Sequence, residues 1–428
     1  MPRDTVQNLA TDWAAEYAAL AARLPSLGAT ARLTLCAFTT CIDWMFDLHE
    51  LAPHLLAHAD PRAVALGSEL RRRAAAGVGG EVCIYWPDGP RWLEPRVTER
   101  RLGGAAAQAA LVLTLLGAPT LMALQDRGPA QLALIDGRVR VACGGRAVPV
   151  AACPPGAASG KLPHFIFEYT AGRDVAGVVP PRSTRVIVRF AEEDIDDDPA
   201  FAALSVRLAH RAGAGFVEGF NELGLERFAA AVARAMAVAD GWRAAGLAMV
   251  HAELADYPEP RNRPATLAAL RGRATSVGMN LHELDALVPG DAPVDAKALA
   301  IAEDLAMERI CIHADDWALC VTRGDPDRER LALMTGCLLA SARAKAGVAT
   351  VPVVPPAEAR YGLPPAPTIR AESWHVVTCP SPWLARPRGT VGLGDTFLAG
   401  TLLVLGQTGE ATAHGPASQP SGRAQTWG

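Results

Sequence analysis

Lysine is almost missing from this chain: three residues, Lys161, Lys297 and Lys345, stand against 38 arginines. With abundant Ala and Pro, this reads as a GC-rich coding bias. No basic surplus results, because 45 acidic residues outnumber 41 basic ones and the net charge is −4. A nucleic-acid partner is therefore not expected. Charged residues make up only 20% of the chain against 50% hydrophobic ones, which excludes a disordered chain of low hydrophobicity. The nine cysteines include no C-x-x-C pair, so neither a structural zinc site nor a disulfide framework is expected, and a reducing compartment is. The start, Met-Pro-Arg-Asp-Thr-Val-Gln, has no apolar h-region, so no secretory leader is expected and a cytoplasmic location is.

Several chemical motifs are also lacking. There is no G-x-G-x-x-G after a strand, no G-x-S-x-G and no H-E-x-x-H. Gly156-Ala-Ala-Ser-Gly-Lys-Leu162 has one residue too few between its glycines for a P-loop, and Leu where Ser or Thr would hold magnesium. Residues 105–125 are nearly free of charge and long enough to span a bilayer. Gln108, Thr114, Gly117, Pro119 and Thr120 interrupt them. A core helix ending at Gly117 and a strand from about Thr120 are expected instead, with no membrane partner.

What is present is a changing rhythm. The Ala/Leu-rich stretch 8–26 reads as an amphipathic helix, 31–39 as a buried strand and 61–77 as a helix. Residues 79–98 are aromatic, Gly and Pro text typical of short strands and loops. Alternation over 131–150 suggests a hairpin turning at Asp136-Gly137, and 164–190 is β-like. Beyond 200, helices 224–245, 264–273, 295–307 and 328–346 alternate with strands 247–251, 274–280 and 309–313. That pattern predicts a parallel sheet with helices on both faces. Ligands in such sheets gather at the carboxyl ends of strands, so His251, Asn280 and His313 mark where chemistry is expected. The polar end, 407–428, reads as a disordered tail, and no internal repeat is visible.

Four segments carry candidate chemistry. Gly392-Leu393-Gly394-Asp395 precedes a run of apolar residues; a glycine turn at a helix start presents backbone N–H groups to a phosphate, and Asp395 is placed to cap that helix or to take a proton from an attacking hydroxyl. The plain alternative is a glycine turn with a capping Asp. Asn280-Leu-His-Glu283 puts Asn and Glu on one helix face, suited either to a hydrated magnesium ion or to a capping box. Glu253, in His251-Ala-Glu253, is a magnesium ligand or a loop carboxylate. Arg185 is a phosphate clamp or a solvated surface charge.

In this order, the segments resemble the ADP-dependent glucokinase/phosphofructokinase family, a branch of the ribokinase-like kinases. The resemblance covers roughly residues 30–405 and rests on Ala37-Phe-Thr-Thr-Cys-Ile-Asp43, Leu102-Gly-Gly104, His164-Phe-Ile-Phe-Glu-Tyr169, Arg185-Val-Ile187, His251-Ala-Glu253, Val277-Gly-Met-Asn-Leu-His-Glu283 and Thr390-Val-Gly-Leu-Gly-Asp-Thr396. Departures from the family pattern are Cys41 for Asn, Ala105-Ala106-Ala107 for Gln-Ala-Gly, and Thr184 for Asn. All but the last concern the sugar pocket, where lost amide side chains would remove discriminating hydrogen bonds.

The resemblance implies an α/β protein with a ribokinase-like three-layer α/β/α large domain (about 1–44, 106–154 and 191–406) and a smaller, mainly β lid (about 45–105 and 155–190). It implies a kinase moving a phosphoryl group from ADP to a sugar or sugar-phosphate hydroxyl with Mg2+. Asp395 would be the base, and the backbone of Gly392, Leu393 and Gly394 the anion hole. Glu253 and Glu283 would organise the metal; Arg185, Asn280 and Gly394 would hold nucleotide; Asp43, Gly103 and Gly104 would contact sugar. Two other readings stay open: an ATP-using kinase of a nucleoside or other small alcohol, and a non-catalytic homologue with a degenerate pocket. Neither the sugar nor the oligomeric state is legible.

Overall fold

The computed structural model describes residues 12–191, 194–257, 259–369 and 373–407. Its strands are β1 (Leu33–Cys36), β2 (Cys41–Asp47), β3 (Gly80–Cys83), β4 (Glu99–Gly103), β5 (Thr120–Met122), β6 (Arg140–Cys143), β7 (Arg146–Pro149), β8 (His164–Tyr169), β9 (Thr184–Arg189), β10 (Ala212–Val217), β11 (Met249–Glu253), β12 (Ser276–Asn280), β13 (Arg309–His313), β14 (Trp317–Thr322) and β15 (His375–Pro380). Ten of them form one sheet in the order β15-β14-β13-β12-β11-β10-β1-β5-β6-β7. Its central pairs, from β13 across to β6, are parallel. Only the edge pairs β13–β14, β14–β15 and β6–β7 run antiparallel.

Both faces of this sheet are covered, which is why β1 and β5 are buried along their whole length instead of alternating. Helices Pro199–Leu208, Leu225–Ala244, Asn262–Leu270 and Val294–Leu305 pack on one face, around Phe201, Trp242, Val250 and Ile310. Helices Trp13–Thr30, Ala105–Leu115, Pro326–Ala346 and Leu393–Leu405 pack on the other, around Tyr17, Phe216, Leu338 and Leu402. The result is the expected three-layer α/β/α arrangement. None of these helices is long and apolar enough to cross a membrane, among the described residues. Residues 105–115 form the core helix and Thr120 opens β5, as the broken apolar run implied.

The second sheet has five strands in the order β3-β9-β8-β2-β4. Alternation divides it. Trp44, Phe46, Phe165 and Phe167 lie on the face covered by helices Leu48–Leu56 and Pro61–Ala76, with Phe46 and Phe167 stacked at 4.9 Å. The opposite face carries Met45 and Ile166, which pack against Val391 of the loop before helix Leu393–Leu405.

Two local expectations need correction. The 131–150 hairpin turns at Gly144-Gly145, whose φ values of 55° and 72° supply the left-handed pair that a two-residue turn requires. The expected pair Asp136-Gly137 instead makes a side-chain turn, Asp136 Oδ1 accepting from the Arg138 N–H at 2.9 Å. Antiparallel β14 breaks the helix–strand alternation by pairing directly with β13 across a three-residue turn. The tail expected at 407–428 lies, beyond Gln407, outside the described residues.

Candidate active site

The carboxyl ends of β10, β11, β12 and β13 open onto a cleft, and the cleft's opposite wall is the free face of the small sheet. Asp43, Gly104, Arg185, Glu253, Asn280, Glu283, Gly392, Gly394 and Asp395 all line it. Gly103 lies just behind Asp43: a Cβ there would sit 2.1 Å from Asp43 Oδ1. Leu393 contributes backbone at the turn. Every residue expected from sequence is thus at one site or one layer behind it.

On the floor, helix Leu393–Leu405 begins at Gly392, whose φ of 72° only glycine adopts without strain. Gly392, not Asp395, is the N-cap, and Asp395 makes no capping bond. It occupies the third helical position with its carboxylate toward the cleft, so the expectation that it caps the helix is corrected. Unsatisfied N–H groups of the first turn point the same way. Burial raises the Asp395 carboxyl above the usual range, while the cations of Arg343 and Arg185 oppose that rise.

Arg343, from helix Pro326–Ala346, runs beneath the turn. Its Nε donates to Val391 O at 2.9 Å, and its Nη1 to Gln108 Oε1 at 2.8 Å and Thr396 Oγ1 at 3.2 Å. It is 5% exposed, so its charge acts on the turn with little screening by water. Sequence reading missed it; the available signal is that Arg343 is the one charged residue in the stretch 331–344 of a core helix. Glu218 is hidden in the sequence for a different reason: the strand it follows, β10, is rich in glycine and carries no strand pattern. It accepts from the Thr39 N–H at 2.8 Å and from the Thr39 hydroxyl.

On the sheet side, Glu253 Oε2 lies 2.8 Å from His251 Nε2 and its Oε1 3.3 Å from His313 Nε2. Behind it, His251 Nδ1 meets Ser276 Oγ at 2.8 Å. That hydroxyl accepts from Arg309 at 3.1 Å, and Arg309 pairs with buried Glu329. Burial works against the Glu253 charge, yet its bonds to His251 and His313 prevail and hold the carboxyl down at about 2. Gly278 gives it room, since a Cβ there would lie 2.1 Å from Glu253 Oε2.

Glu283 behaves oppositely. It forms a capping box with Asn280, accepting from the Asn280 N–H at 2.8 Å and from Nδ2 at 2.6 Å. Burial, with Glu253 and Asp256 nearby, pushes it up to about 8 against the pull of the Asn280 N–H and His313. A part-buried and a buried carboxylate facing one cleft, the second of them short of positive charge, are an all-oxygen donor set that fits a hydrated hard cation. The capping and metal readings are thus compatible.

At the far wall, Asp43 opposes His164 in the β2–β8 register. Burial lifts its carboxyl to about 6, with His164 lowering it and Asp395 raising it. Arg185 extends from β9 into the cleft. Deeper along this wall Arg189 pairs with Glu81 at 2.7 Å, and Asn221 Nδ2 donates to Glu81 at 3.1 Å.

The fold is matched elsewhere. An ADP-dependent kinase in complex with fructose-6-phosphate and ADPβS superposes with a TM-score of 0.74 at 17% identity, covering 92% of this chain and 98% of its own. A phosphofructokinase from Pyrococcus horikoshii OT3 with AMP gives 0.66 at 18%, covering 88% and 98%. The last common ancestor of ADP-dependent phosphofructokinases from Methanosarcinales gives 0.66 at 18%, covering 92% and 98%. A sequence search of curated proteins finds no match. The family model described as the ADP-specific phosphofructokinase/glucokinase conserved region matches residues 33–404. With that match running from β1 to the end of the helix that carries Asp395, the chain belongs to the ADP-specific phosphofructokinase/glucokinase family.

Proposed function

We propose that this protein is a kinase that transfers the β-phosphoryl group of ADP to a hydroxyl of a sugar or sugar phosphate. The observation that carries this reading is Asp395, half-buried in the first turn of helix Leu393–Leu405 and in one cleft with Asp43 and Arg185. Asp395 takes the proton of the acceptor hydroxyl as its oxygen bonds to the β-phosphorus; the bond to the bridging oxygen breaks and AMP leaves. The N–H groups of the Gly392–Gly394 turn, with Arg343 beneath, stabilise charge on the transferring group. Arg185 and Asn280 hold nucleotide phosphate. Asp43, supported by the backbone of Gly103 and Gly104, orients the acceptor. Mg2+, when bound, would be held by Glu253 and Glu283 and would neutralise phosphate charge.

The small sheet serves as a lid in this reading, with segments about 45–105 and 155–190 closing over a large domain of about 1–44, 106–154 and 191–406 to make one catalytic unit. Closure excludes water that would otherwise take the phosphoryl group. The nine free thiols fit a cytoplasmic enzyme. The test is a panel of sugars and sugar phosphates, each with purified ADP or ATP and magnesium. Acceptor-dependent AMP formation from ADP supports the reading. Higher kcat/KM with ATP on the best acceptor overturns the donor assignment, and no turnover with any acceptor overturns the catalytic one.

A further inference from the structure

We propose that Cys41, Asp43 and His164 form a binding site for a thiophilic divalent cation of the zinc class, separate from the all-oxygen pair Glu253 and Glu283. Cys41 and Asp43 are two apart on β2 and so share a face. His164 is the residue of β8 opposite Asp43. Cys41 Sγ lies 3.4 Å from His164 Nδ1 and 3.7 Å from Asp43 Oδ1, and the Nδ1–Oδ1 separation is 3.8 Å. Tetrahedral zinc, with bonds of about 2.3 Å to sulfur and about 2.0–2.2 Å to nitrogen and oxygen, holds such donors about 3.4–3.6 Å apart. The triangle is therefore within a few tenths of an ångström of a ligating set.

The backbone holds this set in place. All three side chains are buried. Gly103 lets two of them pack against β4, since a Cβ there would meet Asp43 Oδ1 at 2.1 Å and Cys41 Sγ at 2.7 Å. Gln131 Nε2 donates to the Cys41 carbonyl at 3.3 Å. Asp43 and His164 face the cleft, which leaves a fourth position for water. A sulfur, an imidazole and one carboxylate oxygen select zinc or cobalt over magnesium; the thiol proton passes to solvent as the sulfur takes the metal. No sequence spacing announces the site, because its donors meet only through strand pairing. Cys41 also stands where the family pattern has Asn, which offers no sulfur. A bound ion occupies Asp43 and so competes with the acceptor; this consequence alone rests on the role proposed for Asp43.

The test is a Co2+ titration of the full chain in a Cys83→Ser/Cys143→Ser background, which removes the cysteines that are not buried. The expected result is one tetrahedral cobalt per chain, with thiolate-to-cobalt charge-transfer absorption and intense visible bands, displaced by Zn2+. Adding Cys41→Ser or His164→Gln should weaken binding by at least about tenfold and, for Cys41→Ser, abolish the charge-transfer band. Should Cys41→Ser fail to fold by circular dichroism, Cys41→Asn, the family's residue, takes its place. No charge-transfer band in the background protein, or an undiminished one after Cys41 is replaced, overturns the site. A band that saturating acceptor fails to weaken overturns the competition and the acceptor role of Asp43, and leaves the metal site standing.

Discussion

Asp395 illustrates how one side chain is read through its neighbours. Because it makes no capping bond, Asp395→Asn removes a base without undoing the helix start. Turnover should fall by about a hundredfold or more with little change in nucleotide affinity; steady-state kinetics on the best acceptor checks this. Burial lifts the Asp43 carboxyl to about 6, and its ionised form is the stronger acceptor for a hydroxyl proton. The acceptor KM should therefore rise as pH falls through about 6, and Asp43→Asn should flatten that dependence. Glu283 gives a stability prediction. Its folded value of about 8 exceeds its ordinary 4.5, so between these values the folded state holds a proton that the unfolded chain has released. Its contribution is then lost as pH rises from about 4.5 to about 8. Glu283→Gln mimics the protonated form, so metal-free urea unfolding should show the variant gaining on the parent protein between pH 5 and pH 8.

Helix Leu393–Leu405 depends on its N-cap, Gly392, more than on its composition. Gly392 combines a φ of 72° with an Arg343 Nη2 that would lie 2.5 Å from any added Cβ. Gly392→Ala should cost about 1–2 kcal/mol for the backbone alone, visible as a melting point lower by a few degrees, and should reduce kcat further because the turn must move off the guanidinium. The elements that could be read from sequence share one property: their burial pattern is local. The long helices announce themselves by period and β11 to β13 as apolar runs between them, and strand ends then locate His251, Asn280 and His313. What stayed hidden depends on partners remote in sequence. β14 lies in text that alternation assigned to no element, β10 was obscured by Gly213 and Gly215, and the hairpin turn shifted because Asp136-Gly137 and Gly144-Gly145 are both acceptable turns until pairing decides between them. Arg343 and the Ser276–Arg309–Glu329 support behind His251 became visible only once helices and strands were packed.

At the scale of the whole molecule, two sheets meet over one loop. Glu168 of β8 accepts from the Thr390 N–H at 2.9 Å and the Thr390 hydroxyl at 3.1 Å, and Val391 packs on Met45 and Ile166. Glu168→Ala should loosen the hold of the small sheet on the turn, lowering kcat more than it raises either KM. Small-angle scattering with both ligands bound should show a less complete contraction than in the parent protein. Arg343 adds a consequence of another kind. Its guanidinium joins Gln108, on the helix that begins at Gly104 beside Asp43, to the carbonyl of Val391, beside the phosphate turn. A change at either end is therefore felt at the other, and free energy shared in this way is reciprocal: whatever factor the acceptor adds to nucleotide affinity, the nucleotide must return to the acceptor. Calorimetric titration of each ligand, alone and against a saturating non-reacting analogue of the other, should give equal factors. In Arg343→Lys, which cannot reach both partners in the same plane, the two factors should fall together toward unity.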